Sequence, residues 1–140
     1  MRILGLDFGA RRIGVAISDP TGSTAQPLTV IEKKDDEAAI RRISELVDKY
    51  EVDEIVVGLP VSMSGELGAQ ARTVLAYVEK LKAKLKLPIK VWDERLTTLF
   101  AERSLLEADV KRGRRKEVVD KVAAAIMLQG YLESKRLGEA

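Results

Sequence analysis

Three apolar runs crowd into the first 32 residues, joined by short, turn-rich connections. "RILGLDF" (2–8) and "IGVAI" (13–17) flank "GARR", which reads as a hairpin, and "PLTVIE" (27–32) comes after the turn-rich "SDPTGS". The stretch reads as a three-strand meander. The rest of the chain alternates. "DDEAAIRRISELVDKY" (35–50) places Ala39, Ile40, Ile43, Leu46, Val47 and Tyr50 on one helical face. "DEIVVGLP" (53–60) is a continuous apolar run, the pattern of a strand covered on both sides. "GELGAQARTVLAYVEKLKAKL" (65–85) is helical, with Leu67, Ala71, Val74, Leu75, Val78, Leu81 and Leu85 in phase.

"PIKVWDE" (88–94) reads as a further strand and "TTLFAERSLLEAD" (97–109) as a helix opening near a capping threonine. A last helix runs from about Arg115 to about Lys135. The expected architecture is α/β, a mixed sheet built from a three-strand meander and then alternating strands and helices, with helices on both faces. With 140 residues and no linker or repeat, one domain spanning 1–140 is expected. No apolar run approaches a signal peptide or a membrane span, so a cytoplasmic protein without a membrane partner is expected.

Two absences restrict the chemistry. There is no cysteine, which removes thiol catalysis and Cys-based zinc sites, and no histidine, which removes the usual general base and the commonest metal ligand. Catalysis by this chain would have to use carboxylates, hydroxyls, amines, or a metal held by oxygen atoms. Aromatic residues make up only 4%, too few for a broad stacking platform for single-stranded bases.

Against that background three acidic positions stand out. Asp7 lies inside an apolar strand, where a lone carboxylate is costly unless something neutralises it; a solvated strand-end acid bonded to a turn is the plainer alternative. Asp93 and Glu94 end the last strand on opposite faces, and parity alone does not choose between them. Asp120 precedes a nearly uncharged stretch, and its i+3, i+4 and i+7 neighbours are Ala123, Ala124 and Met127. Such a small apolar face lets a helix lie close to a sheet. An ordinary surface ion pair with Lys116 or Lys121, worth about 0–1 kcal/mol, is the alternative there. Several acids brought together repel one another, and a hard divalent cation relieves the repulsion. Two such ions about 3.5–4 Å apart can clamp a phosphodiester.

The net charge of +2 conceals an uneven distribution. "KRGRRK" (111–116) supplies five basic residues and no acid, leaving 19 basic against 22 acidic residues elsewhere. Lys111, Arg112, Arg114, Arg115 and Lys116 precede the Asp120 helix, where they could neutralise phosphates or simply be solvated. In "SMSGELGAQAR" (62–72) glycines and hydroxyls precede a helix, equally suited to a phosphate cradle or a plain cap.

"GLDFGARRIGVAISD" (5–19), "VVGLPVSMSGELGAQAR" (56–72), "DERLTT" (93–98) and "VDKVAAAIMLQGYL" (119–132) together resemble the YqgF-like family. These are small bacterial proteins of the ribonuclease H-like superfamily, described both as pre-16S rRNA nucleases and as Holliday junction resolvases. The resemblance implies a ribonuclease H-like fold and a metal-dependent nuclease using Mg²⁺ or Mn²⁺. Its acidic trio falls on Asp7, Glu94 and Asp120, which selects Glu94 over Asp93 by analogy. Arg12, Arg95 and Thr97 fall on motif positions suited to placing substrate or carboxylates, and Met127 stands where the family pattern often has isoleucine. The implied partner is nucleic acid, either precursor rRNA or branched DNA, met by a monomer or a homodimer. Leu99 and Phe100 would serve either a dimer contact or the core.

Two other functions compete. "LDFGARRIG" also resembles the first phosphate motif of actin-like ATPases and sugar kinases, although those enclose nucleotide between two domains. A non-catalytic nucleic-acid-binding factor on the same fold is the other.

Overall fold

The computed structural model describes residues 1–61, 65–94 and 115–138, apart from the side chains of 115–118. The expected helix over 97–109, with Leu99 and Phe100, lies outside the described residues. Strands β1 (Ile3–Phe8), β2 (Arg12–Ser18) and β3 (Ala25–Glu32) form the meander. After them come α1 (Asp36–Lys49), β4 (Glu54–Leu59), α2 (Ala69–Lys84), β5 (Ile89–Asp93) and α3 (Arg115–Arg136). The strands make one mixed sheet in the order β3-β2-β1-β4-β5. β1–β2 and β2–β3 pair antiparallel, while β4 runs parallel to both β1 and β5.

Alternation along each strand divides the core into two layers. Leu4, Leu6, Phe8, Ile13, Val15, Ile55 and Val57 face α1 and α2, where Ile43, Leu46, Val74, Val78 and Leu81 meet them. Ile3, Ala16 and Val56 face the other way, against Ala124, Met127, Leu128 and Tyr131 of α3. The continuous apolar run of β4 is thus covered on both sides, as its composition requires. No described helix is long and apolar enough to cross a membrane.

Local chemistry sets the helix ends. The Asp35 side chain accepts the Glu37 N–H at 3.0 Å and caps α1, whose first turn carries Asp36 and Glu37 against the positive end of the helix dipole. α2 begins later than its apolar phase suggests. Gly68 is its N-cap, without a side-chain cap bond, so Leu67 lies before the helix and is 42% exposed. Tyr77, absent from the expected apolar stripe, is buried against Phe8, ring to ring at 4.7 Å.

On the α3 side, Glu54 is a buried carboxylate with its own partners. It accepts the Tyr131 hydroxyl at 2.5 Å and has Lys135 at 3.5 Å and Lys90 at 3.9 Å. Burial first, and then the bond to Glu54, push the Tyr131 phenol well above its ordinary range, so it stays a donor. This network, with Trp92 edge-on to Tyr131 at 5.5 Å, fastens the far half of α3 to the sheet.

Candidate active site

The site is built on a row that crosses the sheet. Asp7, next to last in β1, is paired with Gly14 of β2 and Gly58 of β4, and Gly58 is paired in turn with Trp92 of β5. Residues in register share a face, so Asp7 points toward α3 with a glycine on each side. An ideal Cβ on Gly14 would lie 2.0 Å from the backbone oxygen of Asp120. One on Gly58 would lie 2.7 Å from Glu94 Oε1 and 3.3 Å from Met127 Cγ. The missing side chains are therefore replaced by the Asp120 backbone on one side of Asp7 and the Glu94 carboxylate on the other. The two glycines themselves lie one strand spacing, ~4.8 Å, to either side of Asp7. The three acids come from β1, the end of β5 and the first half of α3.

Trp92 resolves the Asp93/Glu94 parity. It packs with Tyr131 on the α3 side, and Glu94, two residues on, keeps that side. Asp7 and Glu94 are each only 5% exposed. Asp120 is more open, its side chain 26% exposed, and its Oδ2 lies 3.8 Å from Arg12 Nε. Its small apolar neighbours Ala123, Ala124 and Met127 are fully buried, as close helix–sheet approach demands. As the side chains stand, no group of three or more carboxylates among the described residues is gathered tightly enough to hold one metal ion. Asp7 and Glu94 are neighbours through Gly58, which pairs with the one and meets the carboxylate of the other, while Asp120 is in contact with Arg12.

Asp7 and Glu94 fit a hard cation of the Mg²⁺ kind, which takes oxygen ligands, needs only one or two carboxylates, and fills its remaining positions with water or substrate phosphate. Arg115 and Lys116 open α3, but their side chains are not described; Arg95, Thr97, Lys111, Arg112 and Arg114 lie outside the described residues. In "SMSGELGAQAR" the described part shows Gly65 at φ 88 and the open cap at Gly68. What sequence reading missed was the part played by Gly58: a glycine inside an apolar strand is the signal, but the occupant of its empty position comes from β5, distant in sequence.

The mixed sheet with helices on both faces has the ribonuclease H-like fold. Thermus thermophilus RuvC, in a structure with a Holliday junction substrate, superimposes with a TM-score of 0.64 at 17% identity, covering 100% of this chain and 98% of that one. The fowlpox virus Holliday junction resolvase superimposes with a TM-score of 0.58 at 16% identity, covering 96% and 99%. At such identities the likeness concerns the fold.

Sequence carries the assignment further. The family model described as "RuvX: Holliday junction resolvase" matches residues 1–134, and the chain belongs to this RuvX (YqgF-like) family. A protein of Desulforamulus reducens named "Putative pre-16S rRNA nuclease" is 54% identical over 134 residues, covering 96% of this chain and 98% of its own. One of the same name from Clostridium acetobutylicum is 55% identical, covering 96% and 99%.

Proposed function

We propose that this chain is a divalent-metal-dependent endonuclease whose substrate is the 5′ end of pre-16S rRNA. The observation that carries the reading is the Gly14–Asp7–Gly58 row, which admits Glu94 and the Asp120 backbone beside a buried aspartate. Asp7 and Glu94 would hold Mg²⁺ or Mn²⁺, with Asp120 available as a third carboxylate. When bound, the cation supplies Lewis acidity that promotes attack by water on a phosphodiester and offsets charge on the leaving oxygen.

The remaining work falls to the chain itself. Burial of Asp7 and Glu94 excludes bulk water and strengthens their field on whatever positive or polarised group enters. Arg12, at the start of β2 and paired with Asp120, would supply a guanidinium matched to a phosphate fork. Lys111, Arg112, Arg114, Arg115 and Lys116 would hold backbone phosphates next to the carboxylates, which makes binding steeply salt-dependent.

The names of the relatives favour precursor rRNA; the family description favours branched DNA, and resolution of a symmetric four-way junction would call for a two-fold dimer. Cleavage of a precursor-rRNA 5′ fragment is compared with that of a synthetic four-way junction, with Mg²⁺ or Mn²⁺ and with chelator. The rRNA fragment is expected to be cut preferentially, and only with metal. Preference for the junction would transfer the assignment to resolvase, and absence of cleavage of either would leave a non-catalytic binding factor as the better reading.

A further inference from the structure

The β1–β2 turn leads into Arg12 and adjoins Asp7, yet it is short and projects from the sheet. Its stiffness comes from a residue outside it. Lys33, just past the end of β3, donates its backbone N–H to Arg11 O at 2.9 Å and its ammonium to Gly9 O at 3.1 Å. Inside the turn, Gly9 N–H donates to Arg12 O at 2.8 Å. Two of the turn's carbonyls are therefore tied to a single lysine. The ammonium also stands over the rings of Phe8 (5.7 Å to the centroid) and Tyr77 (6.0 Å), which are themselves in contact. Phe8 is the immediate neighbour of Asp7, and Tyr77 belongs to α2, so Lys33 links three elements beneath the site. A charge-assisted bond to a carbonyl is stronger than a neutral one, and the half-buried setting limits competition from water.

We propose that Lys33 is a positioning residue for the reaction: it holds the Gly9–Arg12 turn rigid from the α1/α2 side, so that Arg12 and Asp7 keep their relative places on the α3 side. The kinetic part of the proposal rests on the nuclease reading above; the structural part does not. Lys33 acts through the turn backbone, not through the carboxylates or the substrate. Methionine is the informative replacement, because its chain still covers Phe8 and Tyr77 while the ammonium is lost.

The test compares wild type with Lys33→Met and Lys33→Arg by amide hydrogen exchange and by steady-state cleavage. In Lys33→Met, exchange at the Gly9 and residue-33 amides should speed about tenfold or more, with amides of β1 and β4 unchanged. Its kcat should fall about tenfold while KM stays within twofold, and Lys33→Arg should recover most of both. Unchanged exchange in Lys33→Met overturns the proposal, as does a loss confined to KM, which would make Lys33 a substrate contact. A fall in melting temperature with unaltered kcat overturns it too, since that is a purely structural role. If the wild-type protein cuts nothing, the nuclease reading and the kinetic part fail together, and the exchange experiment still decides whether Lys33 holds the turn.

Discussion

Asp7→Asn should abolish cleavage while leaving the fold in place. Asparagine has nearly the same shape and volume, so the row between Gly14 and Gly58 keeps its packing. What disappears is one negative charge from a buried site that adjoins Glu94. A cation that Asp7 and Glu94 would hold together loses much of its attraction when one becomes an amide, and negative charge developing on the phosphate oxygens would lose its support with it. The expected drop in kcat/KM is at least about 10³-fold, roughly 4 kcal/mol of transition-state stabilisation. Substrate binding should change little, because most backbone phosphate contacts would come from the basic segment before α3. The measurement is cleavage under single-turnover conditions, with circular dichroism on the same preparation. Cleavage retained by a clean Asp7→Asn preparation would remove Asp7 from the chemistry.

Gly14→Ala should damage the molecule by a different route. The added methyl would lie 2.0 Å from the backbone oxygen of Asp120. Neither side can yield locally: β2 is paired on both edges, and α3 is fixed by Met127 and Leu128 in the core and by Tyr131 on Glu54. The helix must lift from the sheet, opening voids along Ala123 and Ala124. Overpacking against backbone is at the severe end for a single methyl, about 3 kcal/mol or more. For a domain of this size that corresponds to a melting temperature lower by about 10 °C. Gly58→Ala should differ in kind, since its methyl meets a side chain, the Glu94 carboxylate at 2.7 Å, and not backbone, so that the cost falls on the placement of Glu94 more than on the seating of α3. A Gly14→Ala protein melting within a degree or two of wild type would mean that α3 does not sit on β2 as described.

Much of this arrangement is written locally in the chain. The meander, the two-sided strand over 53–60 and the Ala123–Ala124–Met127 stripe come from short-range pattern, and Asp7 is conspicuous because its neighbours are Leu6 and Phe8. Other features depend on packing that no local window contains. Whether Asp93 or Glu94 enters the site is decided by Trp92 meeting Tyr131, which is 39 residues further along and on a different element. Leu67 fits the helical period, but the cap at Gly68 leaves it outside, because periodicity reports phase and not the point at which backbone bonds begin. Gly14 and Gly58 are visible in the sequence as glycines within strands, yet what fills the space beside them belongs to segments 106 and 36 residues away. The contact of Asp120 with Arg12 likewise needs β2 beneath α3, which no spacing along the helix reveals.

Central to the proposed chemistry is a cation shared by Asp7 and Glu94 and needed for strand scission. Its most direct test is the Mn²⁺ dependence of cleavage by wild type and by Glu94→Gln on the same substrate. Wild type should show saturable activation and no cleavage in chelator. Glu94→Gln should need a half-saturating Mn²⁺ concentration raised at least about tenfold, or cut at no concentration. Identical Mn²⁺ curves for the two proteins, or undiminished cleavage in chelator, would contradict the shared cation.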